Sequence, residues 1–196
     1  LRGEQIMLLF LFSCVMPMLD TPDDVIVESE DHSTYSVSKI DRSLRSSVKL
    51  VIKLDGTEGG HASGNYFKYG KRKFILTAAH VVETGEVWVK DGLDIVKVET
   101  LWVDNERDLA IVRPMGELHT VNPVNFKVNM HNNKIGMIIR YAGYPSHLGK
   151  MVLNGMVSKQ LDKKLILQSF GLPGASGSVV FDEKGRAVAV LSAVSI

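Results

Sequence analysis

The chain has 196 residues, room for one or two compact domains. Hydrophobic residues make up 45% and charged residues 23%, which allows a packed core and excludes global disorder. A formal charge of +1, from 23 basic and 22 acidic residues, provides no field that would gather nucleic acid or an anionic membrane surface. The single cysteine, Cys14, excludes an internal disulfide, and the six scattered histidines show no HExxH or CxxC spacing, so no metal site and no cofactor are expected.

In chain order, Ile6 to Leu19 is an uncharged apolar run preceded by Arg2 and followed by Asp20, Asp23 and Asp24. As a helix its fourteen residues would reach about 21 Å, short of the roughly 30 Å hydrocarbon core, so no transmembrane span is expected. Residues 1–19 instead read as a secretory signal. Leu11-Phe12-Ser13-Cys14 is similar to a bacterial lipobox, which would place a lipid anchor on Cys14. The expected location is therefore secreted or in the cell envelope. The alternative is a viral or phage protein in the host cytoplasm, its first residues belonging to a preceding segment.

Residues 20–45 are polar and weakly patterned, as in a linker or pro-segment. From Ser47 to Leu54 the chain is β-branched and broadly alternating, which predicts a strand. Turn-rich clusters follow at 56–60, 69–73, 83–86 and 103–108, with short apolar runs between them. Further strands are predicted over 135–141, 150–157, 164–170, 177–181 and 187–193, with a hairpin turn at Asp182-Glu183-Lys184-Gly185. Many short strands predict an all-β protein. The polar stretch 119–133 divides two halves, 46–118 and 134–196.

Three motifs carry chemistry. In Phe74-Ile75-Leu76-Thr77-Ala78-Ala79-His80 an apolar run leads through two small residues to a histidine, leaving space for the imidazole to pack at a strand end. In Arg107-Asp108-Leu109-Ala110-Ile111-Val112 an aspartate stands at the start of a buried strand, where it can accept the Nδ1–H of a histidine above it. In Gly171-Leu172-Pro173-Gly174-Ala175-Ser176-Gly177-Ser178 three glycines and a proline surround Ser176. Such a loop can expose the serine Oγ and aim backbone N–H groups at one point. Taken alone, the histidine and aspartate motifs are more often structural than functional; together, in the order His, Asp, Ser, the three match a known order of the catalytic triad. A GxSxG nucleophile elbow is not met, because Ser178 fills the last position.

TAAHVV, RDLAIV and GLPGASGS resemble the trypsin/chymotrypsin-like proteases, above all the compact HtrA-like and viral or phage branches, here without a PDZ domain. HASGNYF (61–67), Tyr141-Ala142-Gly143-Tyr144-Pro145 and Gly155-Met156-Val157-Ser158 are similar to neighbouring elements of that family. The resemblance implies two six-stranded β-barrels with the active site between them, His80 and Asp108 from the first and Ser176 from the second. It implies a serine endopeptidase acting on protein or peptide, with Gly174 and Ser176 N–H groups as the oxyanion hole. Substrate would be lined by Phe170, Gly171, Leu172, Pro173, Ser192, Ala193 and Val194. Ala175 stands where trypsin-like enzymes carry the aspartate of their zymogen switch, so that switch is not expected. No Asp or Glu lies between Lys164 and Phe181, so cleavage after small or medium apolar residues is expected rather than after Lys or Arg. The alternatives are a processing protease of the same fold and a catalytically inert peptide-binding module.

Overall fold

A computed structural model describes residues 43–125, 127–129, 135–146, 148–162 and 164–192. The expected signal segment, Cys14, most of the expected linker, and Ala193 and Val194 lie outside the described residues. Among the described residues, eleven strands and the short helix after the third of them position the site, with a further helical turn at 43–46. In chain order they are β1 (Ser47–Leu54), β2 (Thr57–Tyr69), β3 (Arg72–Thr77), α1 (Ala79–Glu83), β4 (Glu86–Asp91), β5 (Asp94–Asp104), β6 (Leu109–Pro114), β7 (Ile138–Gly143), β8 (Met151–Gln160), β9 (Leu165–Ser169), β10 (Val179–Asp182) and β11 (Ala187–Val190). The first six strands close into a barrel in the order β1-β2-β3-β6-β5-β4, and the rest form a sheet in the order β11-β10-β7-β8-β9.

This is the two-barrel, chymotrypsin-like architecture, with one difference. Among the described residues the second unit holds five strands, an open half-barrel rather than the expected six-stranded closure. Predicted strand ends also move by a few residues. The last runs 187–190 rather than to 193, because Leu191 and Ser192 leave the sheet to pair elsewhere: Leu191 N–H donates to Ser178 O at 2.8 Å.

A larger correction falls on residues 56–60, expected to be a turn. The turn is the dipeptide Asp55-Gly56, with φ of 50° and 81°. Positive φ at both central residues is the signature of a type I′ hairpin, and Asp-Gly is a preferred pair for it. Leu54 then pairs with Thr57, and the glycines at 59 and 60 lie inside β2. The register shifts between Ile52, paired with Gly60, and Lys53, paired with Glu58, so Gly59 is the extra residue of a bulge in β2.

Alternation along the strands sets the cores. Val48, Leu50, Tyr66, Ile75, Val89 and Val112 are fully buried inside the closed barrel. Ile139, Tyr141, Val157 and Val180 anchor the second sheet. The polar stretch between the halves is pinned to both, through isolated bridges Phe67–Val124 and Val128–Ala187.

The two units meet along one face of β2. Ala62, Gly64 and Tyr66 turn inward, so His61, Ser63 and Asn65 turn outward, the period-2 rule of a strand. All three outward residues bond to the second sheet or its loops. His61 Nε2 lies 3.0 Å from Tyr144 O, Ser63 Oγ donates to Gly174 O at 2.7 Å, and Asn65 Oδ1 accepts from Val179 N at 2.9 Å. On β1, Ser47 Oγ donates to Ala142 O at 3.1 Å.

Candidate active site

His80 is the second residue of α1, which begins directly where β3 ends. Ala78 and Ala79 are at most 2% exposed, so any larger side chain there would push the helix off the barrel. Thr84 Oγ1 donates to His80 O at 2.6 Å and closes the turn from below.

Asp108 immediately precedes β6, in the left-handed region at φ 54°. An aspartate tolerates that conformation better than most residues. It aims the carboxylate at His80: Nδ1 lies 2.9 Å from Oδ2 and 3.1 Å from Oδ1, while the His80 backbone N–H donates to Oδ1 at 3.0 Å. Ser192 Oγ also donates to Oδ2. Burial alone would raise the Asp108 pKa, but the hydrogen bonds from Ser192 and from the His80 backbone and ring outweigh it and hold the carboxyl below its usual range. An ionised carboxylate only accepts, so the ring carries a hydrogen on Nδ1 and donates it to Asp108, which leaves Nε2 as the nitrogen free of the carboxylate. The side chains of His80 and Asp108 are 41% and 22% exposed, so the pair stands at the edge of the barrel.

Ser176 is half-buried in the turn that precedes β10. Gly174 and Gly177 flank it at φ 92° and 87°. A Cβ on Gly177 would overlap Ser63 O and Thr77 Oγ1 and come within 3.2 Å of Ala78 N, so this glycine lets the serine turn lie directly on the strand leading into His80. Ser63 N–H donates to Ser176 O and Gly177 N–H to Leu191 O, at 2.8 and 2.7 Å.

Backbone partners decide where the N–H groups point. Ser146 N donates to Pro173 O at 2.6 Å, and Ser178 N to Ala175 O at 3.1 Å. In a trans peptide the N–H is antiparallel to the carbonyl, so the Gly174 and Ser176 N–H groups point away from those donors. Among the described residues neither N–H has a backbone carbonyl partner.

Ser178 differs from Ser176 in environment. It is fully buried, its Oγ has no partner among the described residues, and it packs against Gly143, where a Cβ would strike it.

The substrate-lining residues expected from sequence are placed unevenly. Phe170, expected to fill a pocket, has its side chain 62% exposed; the strand ends at Ser169 and Tyr141 OH ties down the Phe170 carbonyl at 2.7 Å. Gly171 and Leu172 are half-buried and Pro173 is exposed. Ser192, expected to line substrate, bonds the Asp108 carboxylate. His61, Ser63, Tyr141 and Ser146 were not expected in the site's frame. The polar residues at alternate positions of 61–65 were the available signal for the first two.

The family model for the trypsin-like peptidase domain matches residues 62–190, more than half of the chain. Among solved structures, the serine endoprotease from Yersinia pestis superposes with a TM-score of 0.66 at 21% identity, over 83% of this chain and 58% of that one. Deg5 superposes with a TM-score of 0.65 at 19% identity, over 85% of this chain and 88% of that one. The chain therefore spans less than two thirds of the first of these proteins. No curated protein sequence matches it. With its matched segment running from β2 to the end of β11 and so spanning His80, Asp108 and Ser176, the chain belongs to the trypsin-like peptidase domain family.

Proposed function

We propose that the protein is a serine endopeptidase in which His80, Asp108 and Ser176 form the triad. The observation that carries this is the two-point contact between the Asp108 carboxylate and His80 Nδ1, which leaves Nε2 as the base. His80 Nε2 takes the proton of Ser176 Oγ as that oxygen attacks the peptide carbonyl. The resulting oxyanion is held by the N–H groups of Gly174 and Ser176. Collapse of the tetrahedral intermediate breaks the C–N bond, and the imidazolium gives its proton to the leaving amine. Water, deprotonated by the same Nε2, then hydrolyses the acyl-enzyme and frees Ser176. Asp108 keeps its charge throughout and steadies the imidazolium; Ser192 holds the carboxylate in place. The substrate is protein or peptide, and apolar residues before the cleaved bond fit the absence of any acidic residue between Lys164 and Phe181. Export or envelope attachment through residues 1–19 and Cys14 belongs to the same reading.

The test is labelling of residues 20–196 with a fluorophosphonate, together with hydrolysis of a diverse peptide library. The parent should label and cleave, and Ser176→Ala should do neither. In the protease series of comparable design, loss of the nucleophile lowers kcat about 10⁶-fold. A parent that binds peptides without labelling would be the inert module instead.

A further inference from the structure

Of the three β2 residues that face the second sheet, His61 has no part in the proton transfers proposed above. We infer that His61 is a positioning residue for Gly174: its ring, tethered to Tyr144, is the backstop that keeps the Gly174 N–H turned toward the reacting carbonyl. This rests on the peptidase reading, since the orientation of Gly174 matters to the reaction only as an oxyanion donor.

The geometry fixes Gly174 on three sides. The peptide before it is held by Ser146 N–H on Pro173 O, and the peptide after it by Ser63 Oγ on Gly174 O. The third side is the α-carbon itself. A Cβ there would fall 2.6 Å from Tyr144 O, 2.9 Å from His61 Cδ2 and closer still to His61 Nε2, so ring edge and carbonyl together form a wall against the Gly174 Cα. Gly174 sits at φ 92°, a conformation that glycine leaves as easily as it enters. A shift of the Gly174 Cα toward β2, which would carry its N–H off the reacting carbonyl, is blocked by this wall. The wall is rigid only while the ring cannot rotate. Tyr144 O can only accept, so His61 Nε2 carries a hydrogen and donates across 3.0 Å, which fixes the ring at its far end.

Removing an oxyanion donor outright costs about 10²–10³ in kcat, and a misplacement of about 1 Å can cost about 10²-fold. Loosening the donor by removing its backstop should therefore lower kcat about 10- to 100-fold. The tests are His61→Ala, His61→Phe and His61→Gln in the chain that carries activity. Phenylalanine keeps the ring volume and loses the donor. Glutamine places an amide N–H at nearly the reach of Nε2. The inference expects Ala and Phe to lose kcat with KM within about twofold, and to lose affinity for a peptide aldehyde, whose hemiacetal oxygen occupies the same N–H groups, by a similar factor. Gln should recover most of both, and the melting temperature of the Phe and Gln variants should stay near the parent's. Unchanged kcat in Ala and Phe, a change confined to KM, or a Gln variant no better than Phe would overturn it. A parent that neither cleaves peptides nor reacts with a fluorophosphonate would overturn the peptidase reading and this inference with it.

Discussion

Gly177→Ala tests how the serine turn is seated on the first barrel. Two separate effects add at this position. The first is backbone strain at φ 87°, which for an L-residue costs about 1–2 kcal/mol. The second is overlap of the new methyl with Ser63 O and Thr77 Oγ1. Neither oxygen is free to yield: Thr77 Oγ1 donates to Ser63 O at 2.8 Å, and the Ser63 N–H holds Ser176 O at 2.8 Å. Overpacking of this kind costs a further ~1–3 kcal/mol, for a total of ~2–5 kcal/mol. Gly56→Ala isolates the strain, because Gly56 has φ 81° and nothing lies within 4 Å of where its Cβ would stand. It should cost only the first ~1–2 kcal/mol. For a chain of this size each kcal/mol moves the melting temperature by about 2–4 °C. Thermal unfolding should then show Gly177→Ala falling well below Gly56→Ala. Peptidase activity measured at a temperature where both are folded should fall only in Gly177→Ala, since relieving the overlap moves the Ser176 turn by about 1 Å. Equal drops in melting temperature would refute the seating argument.

Ser178→Ala should keep peptidase activity and leave stability within about 1 kcal/mol or slightly raised, since it removes a buried hydroxyl that lacks a partner among the described residues; loss of fluorophosphonate labelling in this variant would shift the nucleophile from Ser176. Asp182 is held below the usual carboxyl range: burial pushes it up, but the backbone N–H and guanidinium of Arg186 outweigh that. Its contribution is therefore complete above the unfolded carboxyl value of about 3.9 and is lost as pH falls through the lower folded value. Urea titrations from pH 7 to 3 should show Asp182→Asn less stable at neutral pH but with a flatter acid limb, and parallel curves would contradict the assignment. If residues 1–19 direct export, mass spectrometry of the expressed protein should find a new start after residue 13 or near residue 20, with a diacylglycerol on Cys14 in the lipoprotein case; an intact Met7 to Leu19 in a soluble product would count against it.

The parts of the site that could be read from the sequence are those whose local chemistry is self-contained. Two alanines before His80 and glycines on both sides of Ser176 are required by the space and the φ angles at those positions, whatever the remote neighbours. The all-β class followed from strand periodicity in the same way. What escaped the reading depends on partners far along the chain. Ser192 was read only as a substrate-lining residue, and its hydroxyl's contact with Asp108, 84 residues away, is not visible along the chain. For Phe170 the hydrophobicity is visible in the sequence and the exposure is not. Residues 56–60 misled for another reason: the paired glycines at 59 and 60 outweighed the shorter Asp55-Gly56 signal before them, which alone makes the turn. At 61–65 the alternation of polar residues was visible, but only the packed structure gives them the second sheet as their partner.

The polar face of β2 has a consequence for how the two units can move. Apolar surfaces grip without regard to direction and allow sliding, because contact area changes little with a small displacement. Hydrogen bonds weaken steeply with angle and distance. The outward bonds of His61, Ser63 and Asn65 land on three successive points of the second unit, Tyr144, Gly174 and Val179, so a small slip would strain all of them together. His80 and Asp108 stand on one side of this joint and Ser176 on the other. It acts as a keyed joint, in which the alignment of His80 and Asp108 with Ser176 follows bond direction across the seam.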